Sequence, residues 1–97
     1  MIEKLVEIKH RFEDVGQLIV QPDAMSDMKK FGQLSKEYKD LEKIVLVYDQ
    51  FTEASSNLKN AKELLGTEKD PDFREMAKAE ISELEPKIAA LEEELKI

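Results

Sequence analysis

Cysteine is absent from this 97-residue chain, and tryptophan with it. Without cysteine there can be no disulfide, no thiolate metal site and no cysteine nucleophile. A single histidine, His10, leaves little from which to assemble a metal centre, which needs three or four converging ligands. Glycine and proline number only 3 each, too few for a chain built from turns and short strands. Long hydrophobic runs are missing too. The longest, Ile44-Val45-Leu46-Val47-Tyr48, is far short of the roughly 20 residues that span a bilayer. No apolar segment of signal-peptide type follows Met1-Ile2-Glu3-Lys4-Leu5, so the expected location is soluble and cytoplasmic, with no membrane partner.

Hydrophobic residues make up 41% of the chain and charged residues 38%. Rich in Leu, Glu, Lys and Ala, it has the composition of long helices, with too much apolar content for a disordered chain. The net charge is −7 and unevenly spread. Residues 27–66 balance 7 bases against 7 acids, whereas residues 67–97 carry 5 bases and 10 acids. An acidic domain meets nucleic acid against a repulsive background, so a protein is the better partner.

The apolar residues then divide the chain into three helices. Leu5, Ile8, Phe12, Val15 and Ile19 recur at steps of three and four, one stripe of a helix over about residues 2–20. Gln21-Pro22-Asp23 ends it, because proline disfavours helical geometry in the residue before it. Ser26 is the expected N-cap of a second helix over about 27–66, with Asp27 favourable to its dipole. Its seam runs through Phe31, Leu34, Tyr38, Leu41, Val45 and Tyr48. Past Tyr48 the apolar positions shift to Phe51, Ala54, Leu58, Ala61 and Leu65, so the stripe changes phase once. Where it does, Ile44 to Tyr48 is apolar all round, which predicts burial on more than one side and a change of packing partners. The run also has strand propensity, but helical periodicity continues on both sides of it.

Gly66 reads as the residue just past the helix end. Asp70-Pro71-Asp72 then opens a third helix over about 71–96 with a capping Asp and proline at the first helical position. Its expected seam is Phe73, Ala77, Ile81, Leu84, Ile88, Leu91 and Leu95, with a kink at Pro86. The four methionines are assigned to core filling or loops.

At 1.5 Å per residue the second helix would run roughly 60 Å and its neighbours roughly 28 and 39 Å. The expectation is one all-α domain over residues 1–97: an elongated antiparallel three-helix bundle with a long hairpin of helices 2 and 3.

Catalytic groups are hard to find. No Ser stands in a Gly-x-Ser-x-Gly setting. Glu92-Glu93-Glu94 spread over some 200° of helix surface. A small all-helical enzyme binding a dicarboxylate needs several arginines, and the chain has Arg11 and Arg74 in different helices. The expectation is therefore no catalytic, cofactor or metal site and no small-molecule substrate. One pattern points to binding: Lys29, Lys36 and Lys43 recur every seven residues with Lys39 beside them. Either this stripe neutralises acids of the flanking helices, such as Glu13 or Glu83, or it meets an acidic protein surface or an RNA edge.

Several strings are more specific than any heptad. Glu3-Lys4-Leu5, Arg11-Phe12-Glu13, Phe31-x-x-Leu34-Ser35-Lys36-Glu37-Tyr38-x-x-Leu41-Glu42, Ala61-Lys62-Glu63-Leu64-Leu65 and Asp70-Pro71-Asp72 with Glu75-Met76-Ala77 stand in order along the chain. In these the chain resembles the amino-terminal domain of the bacterial peptide chain release factor 1 family, over essentially all its length. The sister family that reads UGA usually carries a Trp after the first helix, where this chain has Asp23-Ala24-Met25-Ser26-Asp27. The family's peptide-release Gly-Gly-Gln and stop-codon-reading Pro-x-Thr match nothing here: Gly16-Gln17 and Gly32-Gln33 follow Val15 and Phe31, and no Pro has Thr two places on. Ile97 also falls within a helical pattern without a cap. The resemblance thus implies a domain of a longer multidomain factor. It implies contact with the ribosome at the stalk base of the large subunit, with the class-2 release factor GTPase as a second candidate partner. The alternative is a free-standing helical scaffold that self-associates through its seams.

Overall fold

The computed structural model describes residues 2–96, the side chain of Ile2 excepted. Every regular element among them is a helix: α1 (Ile2–Leu18), α2 (Pro22–Met25), α3 (Met28–Thr67) and α4 (Pro71–Leu95). The all-α class and the long hairpin, α3 followed after three residues by α4, are as the sequence predicts. The chain forms two compact units, Met1–Leu46 and Val47–Ile97, and α3 contributes to both.

In the first unit, α1 turns its predicted stripe inward. Leu5 and Val15 are buried, and Ile8, Phe12 and Ile19 are half-buried. Val15, Ala24 and Leu34 form the centre, with Ile19, Tyr38 and Leu41 packed around them. The rings of Phe12 and Tyr38 stack with centroids 4.6 Å apart. Gly16 makes room for this: a Cβ there would stand 3.3 Å from Cε2 of Tyr38. Outside the apolar centre, the Arg11 guanidinium donates from Nε and Nη2 to the two carboxylate oxygens of Glu37 at 2.7 and 2.8 Å, a fork that fixes the rotation of α1 against α3.

The link between α1 and α3 is more structured than the sequence suggests. Pro22 holds Gln21 extended, as expected, but it also starts a one-turn helix, the position at which proline's fixed φ suits a helix best. Ala24 of that turn fills the core. Ser26 is consequently the residue that ends α2, with helical backbone angles, and its hydroxyl donates to the carbonyl of Asp23. It does not cap α3. Asp27 does, accepting from the backbone N–H groups of Lys29 and Lys30 at 3.1 and 3.2 Å.

The second unit is packed through smaller residues. Ala54 and Ala61 of α3 and Ala77, Leu91 and Leu95 of α4 are buried, with Phe51, Leu58, Leu65, Ile81, Leu84 and Ile88 half-buried between them. The predicted phase change is present in α3. Leu34, Tyr38, Leu41 and Val45 face inward in the first unit, and Val47, Phe51, Ala54, Leu58, Ala61 and Leu65 in the second. Burial is not all round at the junction, however, because Leu46 is 57% exposed.

Four further expectations are corrected. Gly66 does not stop α3, which continues to Thr67 with no glycine at positive φ. The helix is ended by side chains instead. The Thr67 hydroxyl donates to the Glu63 carbonyl, and the Arg74 guanidinium donates to the carbonyls of Leu65 and Glu68, two acceptors the helix leaves unpaired. Phe73 is 52% exposed, because the inward position one turn before Ala77 belongs to Arg74. Met25, Met28 and Met76 are exposed, so they fill no core, and Met1 lies outside the described residues. Phe31, at the start of the predicted α3 seam, is also mostly out of the core.

At the start of α4, the Asp70 carboxylate accepts from the Asp72 N–H at 2.8 Å, as predicted. The helix runs without interruption through Pro86 to Leu95, and Lys96 is its extended C-cap. Ile97 lies outside the described residues.

Candidate partner-binding surfaces

Lys29, Lys36, Lys39 and Lys43 all stand on the first half of α3 and all are exposed. Successive residues of an α-helix are rotated by about 100°. On that count the four lysines occupy one face, roughly opposite the Leu34–Tyr38–Leu41–Val45 face that packs inward. From there they cannot reach acids of α1. None of them makes an ion pair among the described residues. Lys30, on a different side of α3, behaves otherwise: its Nζ lies 2.8 Å from the Asp23 carboxylate. That pairing holds Asp23 below the usual carboxylate range and raises Lys30.

A second surface is the α3–α4 connection. Leu64, Phe73 and Met76 are exposed within about two turns of it, and an added Cβ at Gly66 would meet nothing within 4 Å. Glu63, Glu68, Asp70, Asp72 and Glu75 surround these positions in the sequence, with Lys62, Lys69 and Lys78 among them. The turn itself is firmly built. Glu68 accepts from the N–H groups of Lys69 and Asp70 at 3.1 Å each, and Arg74 ties the end of α3 to the start of α4. Sequence reasoning missed this clamp, since an arginine contacting carbonyls leaves no periodic trace.

The cations that a dicarboxylate enzyme would need are occupied in separate places, Arg11 by Glu37 and Arg74 by the end of α3. An open hollow of about 390 Å³ beside α1 is lined by Arg11, Asp14, Gln17, Leu18 and Gln21, but its only cation is this same paired arginine. Glu37 is held below the usual carboxylate range, first by that hydrogen bond. His10 is exposed, and no group of three or more His, Asp or Glu among the described residues could hold a metal ion. No helix among them is long and apolar enough to cross a membrane.

The chain is thus all-helical among its described residues, with two exposed candidate surfaces and both arginines committed to contacts within the chain. Residues 8–97 match the PCRF domain family, and the chain belongs to it. Among its relatives, peptide chain release factor 1 of Cytophaga hutchinsonii is 51% identical over 84 residues, 87% of this chain and 23% of that protein. Peptide chain release factor 1 of Amoebophilus asiaticus is 48% identical over 96 residues, 99% of this chain and 27% of the relative. That of Parabacteroides distasonis is 44% identical over the whole of this chain and 26% of the relative. The chain thus spans about a quarter of the length of the curated relatives it matches. No solved structure matches it.

Proposed function

We propose that this chain is the amino-terminal binding module of a cytoplasmic class-1 translation termination factor, contributing position and release while the codon-reading and hydrolytic chemistry lies elsewhere in the factor. Membership of the PCRF domain family, over residues 8–97, carries this reading. The partner is the ribosome at the stalk base of the large subunit, and the class-2 release factor GTPase is the second. The module binds no small molecule and is not itself an enzyme. Of its surfaces, the α3–α4 connection suits a basic ribosomal protein. Exposed Leu64, Phe73 and Met76 offer apolar contact, acids near them offer charge of the complementary sign, and the Arg74 clamp keeps the turn in one shape before binding. The lysine stripe is a separate partner-binding face.

A chimera tests the assignment. This chain replaces the matching segment of the Cytophaga hutchinsonii factor, and release is measured on ribosomes stalled at UAA. Release comparable to the parent, with chemical protection of the stalk base, is the expected result. A chimera as slow as a factor lacking the segment overturns it. Phe73→Glu with Met76→Glu, both at exposed positions, should abolish the stalk-base protection without lowering the melting temperature.

A further inference from the structure

We propose that the outer face of α3 in the first unit is a docking site for an acidic amphipathic helix of a partner protein. The inference rests on reading the lysine stripe as a binding face and not on the termination role. Its first ground is the shape of the face. Met28, 90% exposed, and Leu46, 57% exposed, are 18 residues apart, five full turns of an α-helix, and so fall on one line about 27 Å long. Gly32, Lys36, Lys39 and Lys43 lie within about 80° of that line, with Lys29 just beyond. The result is an apolar side chain at each end with a lysine flank between them, Glu42 lying about 40° to the other side of the line and Asp40 beyond the lysines.

The second ground is Gly32. A glycine inside a helix weakens it, and the other glycine of this unit has a visible reason: Gly16 makes room for the Tyr38 ring. Among the described residues, nothing beyond its own stretch of helix lies within 4 Å of a Cβ at Gly32. Its bare backbone, between Lys29 and Lys36 on the outer face, lets another main chain approach closely, which is how small residues serve helix–helix contacts.

Register and charge select the occupant. Lysines seven residues apart are about 10.5 Å apart, the spacing at which a neighbouring helix presents side chains from every second turn. Carboxylates at that interval on an apolar-ended helix would meet Lys36 and Lys43 while the ends cover Met28 and Leu46. An RNA strand fits less well. Exposed methionine and leucine offer its phosphates nothing, whereas the apolar ends of a helix would cover both.

The test uses the 97-residue chain and a synthetic 22-residue helical peptide with Glu at heptad spacing and Leu near each end, followed by fluorescence anisotropy. Binding is expected to weaken at least roughly tenfold in Lys36→Glu with Lys43→Glu, and in Gly32→Leu, whose side chain blocks close approach. Neither change should lower the melting temperature, and reversal of Lys78 and Lys87 in α4 should have little effect. Equal binding of a scrambled peptide of the same composition overturns the proposal, as does indifference to Gly32→Leu. So does tighter binding of a 20-nucleotide RNA with the same lysine dependence. Self-association abolished by the lysine reversals, without peptide binding, assigns the face to a second copy instead. A lowered melting temperature in the lysine variants returns the stripe to an intrachain role. No ribosome enters this assay, so its failure leaves the release-factor chimera result untouched.

Discussion

The two units are built on the same helix with different means. The first joins α1, α2 and the start of α3 through a centre of Val15, Ala24 and Leu34, a stacked aromatic pair and two ion pairs between segments. The second joins the rest of α3 to α4 through a seam in which alanine occupies three of the buried positions, and closes its turn with side chains contacting backbone. The second also carries an exposed ion pair between its helices, Lys62–Glu85 at 3.8 Å, so the clearer difference is the size of the buried side chains. The change of phase in α3 falls where one arrangement gives way to the other, since the unit boundary follows Leu46.

That difference is most easily broken by changes of volume in opposite senses. Leu34→Ala empties the first unit's centre and should cost about 2–5 kcal/mol in urea unfolding. Ala77→Leu overfills the second unit and should cost about 1–3 kcal/mol. The first substitution should remove amide protection mainly in α1, the second mainly in α4. Loss of protection in the same residues for both would erase the distinction between the units.

The Arg74 clamp comes next in size. Arg74→Met keeps most of the side-chain volume and leaves the carbonyls of Leu65 and Glu68 to find water, at about 1–2 kcal/mol. Faster amide exchange confined to residues near the connection is the expected signature. No change there would mean that Asp70 and Glu68 hold the turn by themselves.

How far these features were legible follows from their physical origin. Periodicity records which side chains avoid water, so the stripe Leu5–Ile19, the two α3 seams and the phase change were all readable before the structure. Asp70-Pro71 was readable because a local cap is written in adjacent residues. Local rules also misled. Gly66 looked like a stop, yet Arg74, the fourth residue of α4, donates to the carbonyls at the end of α3 and in the turn, with no glycine at positive φ. Ser26 looked like a cap until Pro22 was seen to start a helix of its own. The isolation of the lysine stripe could not be read at all, since heptad spacing is the same whether a stripe faces a neighbour or the solvent.

The glycines sharpen the comparison within the first unit. Gly32→Ala should stabilise by about 0.5–1 kcal/mol, because alanine has the better helix propensity and the new Cβ meets nothing. Gly16→Ala brings the same gain in propensity but presses a methyl against Tyr38, so its net effect should be smaller or reversed. Equal stabilisation by both in thermal melts would show that the Tyr38 ring yields at no cost.

The smallest expected effect is the dependence on pH, and the groups that carry it all stand in the first unit. Glu37 and Asp23 are held below the usual carboxylate range by Arg11 and Lys30 respectively. A carboxylate with a depressed folded-state pKa stabilises the fold fully above its unfolded value, and that stabilisation is lost as the pH falls through the folded value. Lys30 is raised, so its share is present below the ordinary lysine value and lost only as the pH rises through the raised one. The exposed side chains keep both contributions small. At neutral pH, Glu37→Gln should therefore melt slightly below the parent. The gap should close as the pH is lowered past the carboxylate range, with amide shifts concentrated in α1 and the start of α3. Asp23→Asn should behave alike on the acid side. A gap that stays constant down to pH 2 would mean that the Arg11–Glu37 fork acts by geometry alone, and the contrast between a charge-fastened first unit and a second held by close packing would rest on volume only.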